Sequence, residues 1–75
     1  MIGAVIAMQS EAEILLDEMK IERSLTISGK QVFIGSAYGK QTAVCICGVG
    51  KVNAALGAQL LISKFDVKLL LNFGV

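Results

Sequence analysis

The stretch Ala4 to Met19, "AVIAMQSEAEILLDEM", changes its hydrophobic period part-way along. The run Ile2 to Ala7 is short, continuous and partly β-branched, the pattern of a strand covered on both faces in a parallel sheet. Beyond it, Ala12, Ile14, Leu15, Leu16 and Met19 recur at helical spacing. Ser10 followed three residues later by Glu13 predicts a capping box, in which each side chain would take a backbone N–H at the helix start. Asp17 and Glu18 fall later, on a face expected to be solvated. Glu11 remains, in the first helical turn beside the carboxyl end of a buried strand, where ligands gather in open α/β sheets. A carboxylate there also complements the helix dipole, an effect worth roughly 0.3–1 kcal/mol, so the residues by themselves leave both roles open.

The 75 residues allow one small domain. The hydrophobic fraction of 55% exceeds the ~45–50% of ordinary soluble chains and is built from Ala, Val, Leu and Ile, the material of covered sheets. A net charge of +1 with scattered lysines gives no nucleic-acid footprint. No apolar run approaches the ~18 residues of a membrane span, and the N-terminus lacks a signal-peptide pattern. Histidine is absent, which removes Ser-His and Cys-His pairs and the usual zinc sites. Cys45 and Cys47, alone and on one face of a strand, read as buried thiols rather than as a disulfide or a metal site. A reducing, cytoplasmic setting is expected, with no metal and no cofactor.

The remaining elements follow in order. Ile21 to Ile27, Gln31 to Tyr38 and Thr42 to Cys47 read as strands of a meander, with turns at Ser28-Gly29-Lys30 and Gly39-Lys40-Gln41. "GVGK", Gly48 to Lys51, precedes a helix over 52–65, and Val67 to Phe73 is a last strand. The order β-α-β-β-β-α-β predicts an α/β fold, a mixed sheet with helices packed on it. The Gly-x-Gly turn matches neither a Walker A nor a G-x-G-x-x-G pattern. It calls for close backbone approach to either a ligand or a neighbouring strand. On the second helix Leu56 and Leu60 fall within the arc of Asn53, Gln59, Ser63 and Lys64, so that face is expected to be covered, by the same chain or by another subunit. A near-continuous apolar strand ending at Val75 predicts a partial domain.

"IGAVIAMQSEAEILL", "CGVGKVNAALGAQLLISKF" and "VKLLLNFG" together resemble the N-terminal third of the purine nucleoside phosphorylase superfamily, and within it the 5′-methylthioadenosine/S-adenosylhomocysteine nucleosidases. The resemblance covers essentially all 75 residues in order and spacing, with residues 1–75 as the N-terminal part of a single nucleosidase/phosphorylase-like domain. It implies hydrolysis of the N-glycosidic bond of an adenine nucleoside, releasing adenine. By position, Glu11 matches the carboxylate that activates water, and Ala7 and Met8 match residues lining the ribose and that water. Val49 matches a contact to the 5′-thio substituent, and Val75 stands where many nucleosidases have a serine near the ribose or base. The acid at the purine and most of the base pocket are implied to come from sequence beyond Val75. A homodimer is implied as well, with Leu56 and Leu60 near its interface.

Phosphorylases of the superfamily carry an arginine in the first turn and another in the last of these strands. Here the turn is Ala7 to Glu11, Asn72 occupies the second place, and the only arginine is Arg23. A carboxylate where a phosphate would sit repels the dianion, so water is the expected nucleophile. The alternatives are a related enzyme acting on another nucleoside, such as futalosine or adenosine, and a non-enzymatic α/β interaction module.

Overall fold

The computed structural model describes residues 1–73. At its centre is β1 (Ile2–Ile6), paired in parallel with β4 (Lys40–Ile46) on one side and with β5 (Leu69–Phe73) on the other. The strands β2 (Met19–Ile27) and β3 (Lys30–Ala37) extend the sheet antiparallel beyond β4, giving the order β2-β3-β4-β1-β5. The expected mixed sheet and element order are present.

Two helices cover opposite faces, which is why β1 is apolar at successive positions rather than alternately. Ala4, Ile6 and Val44 pack toward α1 (Gln9–Glu18) around Ala12. Val5, Ala43, Cys45 and Cys47 point the other way, toward Leu60 and Leu61 of α2 (Lys51–Lys64). Ala4, Val5 and Ile6 are each at most 2% exposed; fully burying a Val or Ile side chain contributes about 1.5–3 kcal/mol.

Both hairpins turn on two residues, Ser28-Gly29 and Tyr38-Gly39, with φ of 51° and 77°, and 53° and 76°. Positive φ at both central positions is the type I′ geometry that matches strand twist. The second turn thus lies one residue before the Gly39-Lys40-Gln41 expected from sequence, and Lys40 already belongs to β4. Tyr38 is an unusual occupant of such a turn, since a bulky side chain disfavours that region.

The helix start also differs from expectation. Met8 is the N-cap, with φ −130° and ψ 148°, and no side chain caps the helix. Ser10 is the second helical residue, where it no longer has the extended backbone an N-cap needs, so the Ser10–Glu13 capping box does not form. The Met8 carbonyl instead accepts from the Glu11 and Ala12 N–H groups, each at 3.1 Å. Ile14, expected on the buried stripe, is 76% exposed. Leu60, expected near a subunit interface, is buried in the core against the sheet, whereas Leu56 is exposed. The helix places Leu60 beside Leu61 and Gly57 on its inner side, so only Leu56 of that pair is presented outward.

Candidate functional site

Because β1, β4 and β5 run parallel, their carboxyl ends open at one end of the sheet. The helix after β1 leaves on one face and the helix after β4 leaves on the other. That divergence between neighbouring parallel strands creates a crevice beyond their carboxyl ends.

The loop after β4 forms one wall. Its backbone extends the β1 ladder, with Cys47 N–H donating to the Ile6 carbonyl at 2.9 Å and Gly48 N–H to that of Ala7 at 3.1 Å. Gly48 and Gly50 have φ of 91° and 109°, which glycine adopts without steric cost. The Asn53 amide donates to the Val49 carbonyl at 2.9 Å, and Lys30 Nζ donates to that of Cys47 at 2.7 Å. Of the two readings of the Gly-x-Gly turn, close approach to a neighbouring strand is therefore met at Ala7. The same loop also lines a cavity.

Two cavities flank the end of β1. One, of about 500 Å³, lies on the α1 side and is lined by Ile6, Glu11 and Phe73, and farther along the helix by Ile14, Leu15, Glu18 and Tyr38. The other, of about 340 Å³, lies on the α2 side and is lined by Ala7, Gly48, Val49, Lys51 and Asn72 among others. Strand alternation produces the split. Ile6 is paired with Phe73 and Val5 with Asn72, so consecutive residues of β1 and β5 serve opposite cavities. Glu11 is thus on one side of the strand end, and Ala7 and Val49 are on the other. Met8 is 46% exposed at the N-cap between them in sequence. Val75 lies outside the described residues.

Glu11, Ile14, Leu15 and Glu18 share one face of α1 at i, i+3, i+4 and i+7. Their side chains form one wall of a groove, with Glu11 at the end nearest the carboxyl ends of the strands. Glu18 is about 10.5 Å away along the helix axis. Glu13, on another face, is exposed.

Cys45 is buried and lines neither cavity, whereas Cys47 borders the smaller one. Burial pushes the Cys45 thiol up to about 11, neighbouring Cys47 adds to this, and Lys30 opposes it. The thiol is therefore protonated at neutral pH and is a poor nucleophile or ligand. Among the described residues, no group of three or more His, Cys, Asp or Glu is placed to hold a metal ion. Asn72, Phe73 and Lys51 escaped the sequence reading as cavity residues. For Asn72 and Phe73 the reason is non-local: the pairing of β5 with β1, across more than sixty residues, sets their side.

A family profile described as the phosphorylase superfamily matches residues 1–75. The chain belongs to the phosphorylase superfamily. The 5′-methylthioadenosine/S-adenosylhomocysteine nucleosidase of Listeria monocytogenes is 36% identical over 73 residues, 97% of this chain and 31% of that protein. The nucleosidase of that name from Neisseria meningitidis, in complex with methylthio-immucillin-A, superposes with a TM-score of 0.91 at 27% identity, over 97% of this chain and 32% of the other. The futalosine hydrolase of Helicobacter pylori superposes with a TM-score of 0.86 at 27% identity, over 99% of this chain and 32% of the other. The chain thus spans about a third of the length of the superfamily relatives it matches, and its fold is theirs over that third. No helix among the described residues is long and apolar enough to cross a membrane.

Proposed function

We propose that this chain is the N-terminal part of a cytoplasmic nucleosidase that hydrolyses the N-glycosidic bond of adenine nucleosides such as 5′-methylthioadenosine and S-adenosylhomocysteine. The observation that carries the reading is the position of Glu11. It stands in the first turn of α1, just beyond the carboxyl end of β1, exposed and lining the larger cavity with Ile6 and Phe73.

Glycoside hydrolysis passes through an oxocarbenium-like state, with an acid on the leaving group and a base for water on the other face. Glu11 takes the second part: it orients a water below the anomeric carbon and accepts its proton. Ala7 and Met8 border the ribose and that water, and Val49 meets the 5′-thio substituent. The acid for the purine comes from outside these 75 residues. Two such protomers associate with Leu56 at the contact.

Water is favoured over phosphate because, among the described residues, no arginine stands near the crevice. Arg23, the only one in the sequence, is on β2, at the far edge of the sheet from β5. Likeness to a futalosine hydrolase supports a second reading, the same bond cleavage on futalosine. Product analysis of the full-length protein tests both. Free ribose sugar should form, at a rate independent of added phosphate, and 5′-methylthioadenosine should be consumed faster than futalosine. A sugar 1-phosphate product would overturn hydrolysis; a reversed preference would select the second substrate.

A further inference from the structure

The Gly48–Gly50 loop has wide backbone freedom, since two of its three residues are glycines with positive φ, so what fixes its shape is the set of bonds made to it. Its carbonyls are each held. Cys47 Sγ donates to the Gly48 carbonyl at 3.2 Å, Asn53 to that of Val49 at 2.9 Å, and the Ala54 N–H to that of Gly50 at 3.0 Å. These three donors belong to the same local segment and would move with it. Backbone bonds join Cys47 and Gly48 to the end of β1, and one side chain reaches the root of the loop from the other side of β4. Lys30 is the first residue of β3, next to the last registered pair, Gln31 with Ile46. From there its ammonium reaches the Cys47 carbonyl at 2.7 Å, in a partly buried contact between residues seventeen apart. A hydrogen bond from a charged donor is stronger than a neutral one. It ties the root of the loop to the β2–β3 hairpin, which is rigidly paired to the rest of the sheet.

We propose that Lys30 is a positioning residue: by gripping the Cys47 carbonyl it fixes the Gly48–Gly50 loop, and so holds the Val49 side chain where the 5′ end of the substrate must fit. The proposal rests on the reading of Val49 given above. Lys30 touches no substrate itself. Its effect falls on recognition of the 5′ substituent, because the wall it steadies lies across β1 from Glu11.

The test compares Lys30→Met, which keeps the stem and removes the donor, with Lys30→Arg, which restores one, in the full-length protein. For 5′-methylthioadenosine, Lys30→Met should raise KM by about 3–10-fold, consistent with loss of one charged hydrogen bond felt at a distance, and leave kcat within about twofold. Adenosine, which has no 5′-thio group, should be turned over as before, and Lys30→Arg should recover most of the KM. Hydrogen exchange at the Gly48 and Ala54 amides, which donate to the Ala7 and Gly50 carbonyls, should accelerate in Lys30→Met whether or not the protein turns over either nucleoside. Unchanged exchange, or equal losses on both substrates, would overturn the proposal. Faster loop exchange in a protein inactive on 5′-methylthioadenosine would uphold the grip of Lys30 on the loop and refute the substrate reading instead.

Discussion

Gly57 of α2 lies directly over Cys47, the residue that follows β4: a Cβ built at Gly57 would stand 2.8 Å from the Cys47 Cβ, with Cys45 Sγ and Val5 Cγ1 each at 3.4 Å. The absent side chain lets the helix settle onto the strands that end at the crevice. An alanine would favour helix by about 1 kcal/mol, but crowding a packed core costs about 1–3 kcal/mol, and the closest atom is a Cβ one residue beyond a central strand. Gly57→Ala should therefore lower stability by up to about 2 kcal/mol in denaturant titrations of the full-length protein. A more stable variant would mean that α2 can lift without cost.

Glu11→Gln keeps size and hydrogen bonding but removes the base. In the full-length protein it should lower kcat on 5′-methylthioadenosine by about 10²–10⁴-fold. Glu13→Gln should change neither rate nor stability measurably, because no capping bond is there to lose. Near-normal turnover by Glu11→Gln would leave that carboxylate a dipole-complementing residue only.

Cys45 gives a pH dependence whose sign can be worked out. Its thiol is raised from 9.0 to about 11 in the fold, chiefly by burial, so the unfolded chain releases the proton first. Stability is unaffected below about pH 9, falls as pH rises from there, and levels once the folded thiol also ionises near 11. Two units correspond to about 2–3 kcal/mol at most. Urea titrations at pH 8 and 10.5 should show a smaller loss in Cys45→Ala than in the wild type, though Cys45→Ala starts lower because of the cavity it leaves. Equal losses in both would remove Cys45 as the cause.

Leu56 and Leu60 should respond differently to charge. Leu56→Glu, on the exposed side of α2, should shift the full-length protein toward monomer in sedimentation while leaving its thermal unfolding nearly unchanged. Leu60→Glu buries a carboxylate against the sheet and should abolish folding. A dimer unperturbed by Leu56→Glu would place the contact elsewhere.

Much of this architecture could be read from local chemistry. The run Ile2 to Ile6 is apolar without alternation because both faces are covered, and the two glycine turns announce the meander. Boundaries moved where one residue decided them. Tyr38 reads as part of its strand because tyrosine favours extended backbone, yet it occupies a turn position that usually goes to Asn, Asp or Gly. The Ser10–Glu13 spacing fits a capping box, but Met8 already ends the extended segment, so the helix begins too early to use it. Ile14 and Leu60 share the limitation of any helical-period reading: the arc is visible, but which part of it meets the sheet depends on how the helix is rolled. The two-cavity arrangement was hidden for a similar reason. Glu11, Ala7 and Val49 were each found as positions, but their separation by β1 follows from the β1–β5 register and from the helices leaving on opposite faces.

Two connections, after Ile6 and Ile46, leave the sheet at the same end, where β5 also finishes. The distance between their starting points is fixed by the strand spacing of about 4.8 Å and not by the connections themselves. Each can lengthen, shorten or change its side chains without disturbing the strand pairing from which the other starts. A frame of this kind separates inheritance of geometry from inheritance of preference. Relatives named for different nucleosides can keep one ladder in common and diverge in the few residues that hang beyond it.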